Sequence, residues 1–336
     1  MNILVTGGAG YVGSHTVKHL QQCGHEVWVY DNLTTGHAAA VPRGRLIVGD
    51  LHDRELLRYV LRGREIDAVM HFAASALVGE SVADPAKYYH NNLVATLSLM
   101  EAMRDCGTRR IVFSSTAATY GEPEEMPIRE TFPQEPCNPY GFTKLALEQA
   151  LTDYAAAYGW GVAALRYFNA AGAASDGTLG EDHSPESHLI PLVLQVALGQ
   201  REHITVFGDD YPTPDGTCVR DYVHVEDLAA AHLAALEKLD DSVVLKMNLG
   251  TGRGYSVREV IDACGQVSGR EISEVAGPRR AGDPPELVAD PSLAMQALSW
   301  QPQFTTVESI VETAWRWHES HPNGYEAVQV EEFAAV

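Results

Sequence analysis

The chain has 336 residues, enough for two domains or one large α/β unit. Its composition is that of an ordinary globular enzyme, 45% apolar and 21% charged, and its net charge of −21 argues against a nucleic-acid backbone or an anionic membrane as partner. An anionic small substrate would therefore need a locally basic pocket. The five cysteines, Cys23, Cys106, Cys137, Cys218 and Cys264, are scattered without zinc or CxxC spacing. Reduced thiols in a cytoplasmic protein, and no bound metal, are the expectation. The opening residues read as a core strand rather than a secretory signal, and no apolar run is long enough to span a membrane.

Ile3-Leu4-Val5 is a short apolar run, followed by Gly7-Gly8-Ala9-Gly10-Tyr11-Val12-Gly13 and a helical stretch from Ser14 to Leu20. Glycines in a GxxGxxG pattern between a strand and a helix let the backbone turn tightly and approach a pyrophosphate, which the helix N-terminus then receives. Glu26 to Tyr30 reads as a second strand ending at Asp31. A carboxylate roughly 20 residues beyond the glycines accepts the ribose hydroxyls of an adenosine and repels a 2′-phosphate. NAD rather than NADP is expected. Arg45–Val48 and Asp67–His71 follow as strands around a helix at 53–62, giving the βαβ alternation of a doubly wound parallel Rossmann sheet. Ligands in such sheets lie at the carboxyl ends of the strands, so Asp50, Leu51, Phe72 and Ala73 should line the crevice. Residues 84–105 read as one long helix, Arg110 to Phe113 as a fifth strand ending at Ser114-Ser115-Thr116, and Val162 to Tyr167 as a sixth. The hydroxyls after the fifth strand are placed either to meet a substrate oxygen or to form a serine-rich turn. The position in the sheet favours Thr116 as functional.

Asn138-Pro139-Tyr140-Gly141-Phe142-Thr143-Lys144 opens a helix, with Asn138 as cap and Pro139 in the first turn. Tyr140 and Lys144 are one turn apart and share a face. A tyrosine has a pKa of about 10, so ionising it at neutral pH costs roughly 4 kcal/mol. A fixed ammonium one turn away lowers that cost. Alone, the pair is an ordinary surface pair; beside a redox cofactor it becomes a base. After Asn169 the alternation ends. Helices at Leu189–Leu198, Val225–Lys238 and Val257–Val267 and strands at 205–207, 245–249 and 272–275 suggest a smaller α/β substrate lobe. The division is thus 1–169, mainly cofactor-binding, and 170–336, mainly substrate-binding and interleaved with the first. The tail after His321 is expected to be loosely held.

Together, the glycine turn, Asp31-Asn32, Phe113 to Thr116, Tyr140 to Lys144 and Arg166 to Asn169 resemble the extended short-chain dehydrogenase/reductase family. Val78 to Ser81, Phe207 to Thr213, Asp215 to Thr217, Val219 to His224 and Arg279 to Asp283 are similar, more specifically, to its branch that inverts C4 of UDP-sugars. The resemblance covers essentially the whole chain. It implies NAD retained through each turnover and interconversion of UDP-glucose and UDP-galactose. Tyr140 would take the 4-hydroxyl proton while hydride passes to the nicotinamide, and the 4-keto sugar would rotate and receive hydride on its other face. Lys144 would hold the nicotinamide ribose and stabilise the phenolate; Thr116 would share the bond to the sugar oxygen. Cofactor contacts carried over are Gly7, Gly10, Tyr11, Val12, Gly13, Asp31, Asn32, Asp50, Leu51, Phe72, Ala73, Asn91, Ser114, Tyr140, Lys144 and Tyr167. Substrate contacts are Thr116, Asn169, Leu189, Phe207, Arg220, Tyr222, Arg280, Asp283 and Leu287. Two arginines also suit a pyrophosphate on an acidic protein; the less favoured reading takes Arg220-Asp221 as a structural ion pair. The resemblance further implies a homodimer formed through the 84–105 helix and the helix starting at Pro139.

Three positions depart from common forms of the family. Thr116 stands in place of Ser and keeps the hydroxyl. Ala76 replaces a lysine near the cofactor. Leu287 replaces a bulky Tyr that closes the sugar pocket, which leaves room for the C2 substituent of UDP-N-acetylglucosamine and UDP-N-acetylgalactosamine. A 4,6-dehydratase would need an acid and a base after Thr116, where this chain has Ala117 and Ala118. A non-catalytic NAD sensor would have no use for Tyr140 with Lys144. Epimerisation of a UDP-uronate or UDP-pentose uses the same base and stays open.

Overall fold

The structure, a computed structural model, describes residues 1–280 and 283–328. Ala281 and Gly282 of the Arg279–Asp283 motif, and the tail beyond Val328, lie outside the described residues. Strands β1 (Asn2–Thr6), β2 (Glu26–Asp31), β3 (Leu46–Val48), β4 (Ala68–His71), β5 (Arg110–Thr116) and β6 (Gly161–Tyr167) pair in parallel. The central strands are continuous apolar runs because helices cover both faces of the sheet. One face carries α1 (Tyr11–Gln22), whose Val17 and Leu20 pack with Val5 and Val29. The other carries α2 (Arg54–Gly63), Leu99 and Met103 of the helix after residue 94, and Leu147 and Leu151 of the helix after Asn138.

The stretch expected as one helix over 84–105 is one continuous helical run from Pro85 to Cys106, widened by a π turn in its middle. After a separate short helix α3 (Val78–Ala83), the run comprises α4 (Pro85–Tyr88), a π-helical turn over Tyr89–Val94 and α5 (Ala95–Cys106). Asp84 caps α4, accepting from the Lys87 N–H at 3.2 Å, and Pro85 occupies the first turn. The wide turn aims Asn92 at Ser75: its side chain accepts from Ser75 N at 2.8 Å and donates to Ser75 O at 2.9 Å. Tertiary bonds thus stabilise a turn that local propensity does not favour. The next helix, α6 (Pro139–Tyr158), begins as expected, with Asn138 accepting from Gly141 N at 2.8 Å, and stops at Gly159 with φ 69°.

Beyond β6 come β7 (Asn169–Ala171), α7 (Leu189–Ala197), β8 (Ile204–Phe207), β9 (Val219–His224), α8 (Val225–Glu237), β10 (Val244–Leu249), β11 (Gly254–Ser256), α9 (Val257–Ser268), β12 (Glu274–Gly277), β13 (Glu286–Leu287), α10 (Ser292–Leu298) and α11 (Val307–Ser320). β10 is the seventh strand of the large sheet, whose order is β3-β2-β1-β4-β5-β6-β10. Leu228, Ala231 and Leu236 of α8 join the same core as α1. The remaining strands form two small sheets, with β9 between β11 and β13 and also paired to β7, and β8 beside β12. Their core is a separate cluster that includes Val193, Tyr222, Val260 and Ile310. The tail is not loose as far as Tyr325, which donates from its N–H to Asp182 at 2.9 Å and from its hydroxyl to Gly180 O at 3.1 Å. Among the described residues, no helix is long and apolar enough to cross a membrane.

Candidate active site

The order of the large sheet reverses between β1 and β4, and the glycine turn sits at that point. Gly7 has φ 73°, and a Cβ there would stand 2.4 Å from Ala73 N. At Gly13 a Cβ would stand 2.2 Å from Gly7 O, so the strand and the helix touch only because both side chains are missing. Gly10 differs: its nearest neighbour would be Gly7 O at 3.4 Å, so its missing side chain leaves open space above the turn. Gly10 also caps α1 without a side-chain hydrogen bond, so the first-turn amides at Tyr11, Val12 and Gly13 are available to an anion. This cradle fits a dinucleotide pyrophosphate.

Asp31 ends β2 beneath the cradle, accepting from Ala9 N at 3.0 Å and Leu33 N at 2.8 Å. Burial raises its pKa, and those two amides pull it back. Asn32 donates to Asp50 at 3.0 Å, and Leu51 is buried beside them. Phe72 and Ala73 leave β4 with both N–H groups on Thr6 O. Asn91, in the π turn, donates to Ser75 Oγ at 3.2 Å. These residues therefore gather at the carboxyl ends of β1, β2 and β4, where a doubly wound sheet receives its ligand.

The catalytic candidates meet at the carboxyl ends of β5 and β6. Lys144 is 2% exposed, and its Nζ donates to Ser114 O at 2.8 Å. Nζ also lies 6.0 Å from the centre of the Tyr140 ring. The Ser114 and Tyr167 hydroxyls are 2.5 Å apart. The Thr116 hydroxyl, at the end of β5, acts on Tyr140 to lower its pKa. Tyr88 packs its ring edge-on to Tyr140 at 6.4 Å. The electrostatics differ from the simple expectation of a lowered tyrosine. Burial raises Tyr140 above its usual value, and only the Thr116 hydroxyl opposes it. Burial likewise pushes Lys144 down to about 7, with Glu148 working against it. The low-dielectric site penalises both charged forms.

Apart from Thr116, the substrate candidates lie on the small sheets or on segments beside them. Asn169 is the register partner of Tyr222, and Leu287 of Arg220. Leu189 opens α7 and packs in the cluster that holds Tyr222. The Arg280 guanidinium lies 4.1 Å over the Phe207 ring. Arg220 does not pair with Asp221. It forms an ion pair with Asp283 and donates to Pro284 O at 2.8 Å. Asp221 points the other way, fully buried, and accepts from Thr251 N at 2.8 Å, Gly252 N at 3.0 Å and Ala289 N at 3.2 Å. Neighbours on a strand face opposite sides, which rules out the adjacent pair.

Sequence reasoning missed a buried network under the site. Glu148, on the turn after Lys144, pairs with Arg166 of β6 at 2.6 Å and accepts from Ser115 Oγ at 2.5 Å. The available signal was an arginine inside an otherwise apolar strand. Also missed was a group of four potential ligands, Glu181, His183, Glu186 and His188.

A dinucleotide cradle on a doubly wound sheet, with a tyrosine and a lysine one turn apart over its crevice, defines a nucleotide-dependent short-chain dehydrogenase/reductase. The model of the NAD dependent epimerase/dehydratase family matches residues 3–250, and the chain belongs to that family. It is 54% identical over 326 residues to the UDP-glucose 4-epimerase of Halalkalibacterium halodurans, covering 97% of this chain and 98% of that one. The crystal structure of UDP-glucose 4-epimerase from Brucella ovis in complex with NAD superposes with a TM-score of 0.91 at 51% identity, covering 94% and 97%. The one from Bifidobacterium longum in complex with NAD+ and UDP gives 0.92 at 41% identity, covering 97% and 100%.

Proposed function

We propose that the protein interconverts UDP-glucose and UDP-galactose by removing hydride from C4 and returning it to the same carbon, and that it also accepts the N-acetylated UDP-hexosamines. The observation that carries this reading is the meeting of Tyr140, Thr116 and Lys144 beside the glycine cradle. When bound, NAD supplies the hydride acceptor and donor and a cationic ring that favours a nearby phenolate. The chain's own residues do the rest. Tyr140 takes the 4-hydroxyl proton as the sugar becomes a ketone and gives it back on the other face. Thr116 holds the oxygen in line, and Lys144, anchored on Ser114 O, favours the phenolate. Arg220 and Arg280 bind the pyrophosphate, and Asp283 orients Arg220. Phe207, Tyr222, Asn169 and Leu189 seat the nucleotide, so that the sugar alone turns over.

The molecule works as a homodimer in the cytoplasm. Tyr89, Val94 and Phe142 expose large apolar side chains on the π turn and on α6, and Tyr89 packs edge-on to Phe142 at 6.1 Å. All five cysteines are free.

Proton NMR of the purified protein with UDP-galactose and no added NAD tests the reading. UDP-glucose should appear without accumulation of NADH, and Tyr140→Phe should slow it by about 10²–10⁴-fold. UDP-galactose left untouched even after NAD+ is added would overturn the assignment.

A further inference from the structure

The loop between β7 and α7 brings together four side chains that the epimerase chemistry does not use. Glu181, His183, Glu186 and His188 each offer one ligand atom, all within 4.8 Å of one another. His188 Nδ1 lies 2.8 Å from Glu181 Oε1 and 3.0 Å from Glu186 Oε1. His183 Nδ1 lies 3.2 Å from Glu181 Oε1 and 3.6 Å from Glu186 Oε2. A tetrahedral ion with bonds of about 2.0–2.1 Å sets its ligand atoms about 3.3–3.4 Å apart. The separations among the free ligand atoms, 2.8 and 3.2 Å at Glu181 Oε1 and 3.6 Å at Glu186 Oε2, straddle that distance.

Ion pairing alone does not account for the arrangement. Glu181 is only 4% exposed, and its Oε1 lies 2.8 Å from His188 Nδ1 and 3.2 Å from His183 Nδ1, yet neither Oε1 nor His183 Nδ1 makes a hydrogen bond of good geometry. Two buried polar atoms that face each other without bonding are costly unless something between them satisfies both. Glu186 is pre-oriented, since its Oε1 accepts from Ser187 N at 2.7 Å and His188 N at 2.8 Å, leaving Oε2 for a ligand bond.

We propose that Glu181, His183, Glu186 and His188 bind one zinc ion. Imidazole nitrogens select a first-row transition ion over calcium or magnesium, and four protein ligands leave no open position, so the ion is structural. It clips the loop to three neighbours. Asp182, between two ligands, receives the Tyr325 N–H at 2.9 Å, and its carbonyl lies 3.0 Å from His37 Nε2. His183 meets the Tyr11 ring of the glycine turn edge-on at 6.1 Å. His188 precedes Leu189, where α7 begins. The ion therefore fixes the first turn of α7 relative to the cofactor cradle.

The test uses full-length protein made without a histidine tag, stripped with a chelator, loaded with zinc chloride and passed through gel filtration. Elemental analysis should find one zinc per chain, and zinc should raise the melting temperature. Cobalt(II) in its place should give the visible absorption of a tetrahedral site. A Glu181→Gln/His183→Gln double variant should lose the zinc, the melting shift and the cobalt spectrum while keeping its circular dichroism. If that variant fails to fold, His188→Gln at the exposed ligand serves for the same comparison. Wild-type protein that carries no more zinc than the variant, or cobalt with no tetrahedral spectrum, overturns the proposal.

Discussion

The Arg166 guanidinium and the Glu148 carboxylate meet at two points, Nε to Oε1 at 2.9 Å and a terminal nitrogen to Oε2 at 2.6 Å, with side chains 2% and 0% exposed. Arg166 also donates to the Tyr120 hydroxyl at 2.7 Å, which in turn donates to Asn248 at 2.7 Å. Glu148 rides on the helix that carries Tyr140 and Lys144. Its other partner, Ser115, lies between Ser114 and Thr116 on β5. The pair therefore bolts the two halves of the catalytic group together. Glu148→Gln leaves a buried guanidinium without its counter-charge and should cost about 3–5 kcal/mol. Urea unfolding measures this, and a Glu148→Met/Arg166→Met double variant should recover most of the loss. A single variant as stable as wild type would contradict the bolting role.

Lys144 makes stability depend on pH. Burial holds its folded pKa at about 7, below the unfolded value of about 10.4. Between those values the unfolded chain binds the extra proton, so this site's contribution to stability rises with pH. Below pH 7 the penalty for keeping a buried ammonium is present in full; above the unfolded value it is gone. In cofactor-free protein, the ε-carbon NMR signal of Lys144 should titrate at about 7, and Lys144→Met should remove the rise in stability. A midpoint at the ordinary lysine value contradicts this.

Two glycines of one turn should fail in different ways. Gly13→Ala places a methyl 2.2 Å from Gly7 O and should lower the melting temperature of the protein with or without NAD. Gly10→Ala meets nothing closer than 3.4 Å, so the fold should survive. Its methyl, however, occupies the space through which the pyrophosphate approaches the backbone. The NAD content of purified Gly10→Ala protein should fall well below that of wild type, and equal content would refute this role for Gly10.

Leu287 sits beside Arg220 in parallel register. Leu287→Tyr adds a ring and a hydroxyl at the edge of the proposed sugar pocket. It should lower kcat/KM for UDP-N-acetylgalactosamine by 10-fold or more while leaving UDP-galactose within a few-fold, since a misplaced group in such a pocket is worth about 1–3 kcal/mol. Undiminished turnover of the acetylated sugar removes Leu287 as the specificity determinant.

What the sequence reveals about this fold follows how local each signal is. The turn from Gly7 to Gly13 and Asp31 at the end of β2 are set by spacing within one βαβ unit, so both are readable in the chain. The cap at Asn138 and the pairing of Tyr140 with Lys144 are equally local. The π turn inside the helix from Pro85 to Cys106 is not, because Ser75 makes the bonds that hold it open. Leu245–Leu249 reads as a strand, but nothing within it says that it pairs with β6 rather than with the small sheets. Arg220 reads as a partner of Asp221 only while β9 goes unrecognised; once the strand is placed, the two face apart and Asp283 takes the arginine. Glu148 and Arg166 are far enough apart in the chain that only the packed helix and strand bring them together.

The most direct test of C4 hydride removal and return uses UDP-galactose carrying deuterium at C4. The account predicts UDP-glucose with the deuterium still on C4, in inverted configuration, because the atom leaves and returns within one turnover without meeting water. Product with protium from solvent at C4, or with deuterium lost to added NAD+, would contradict it.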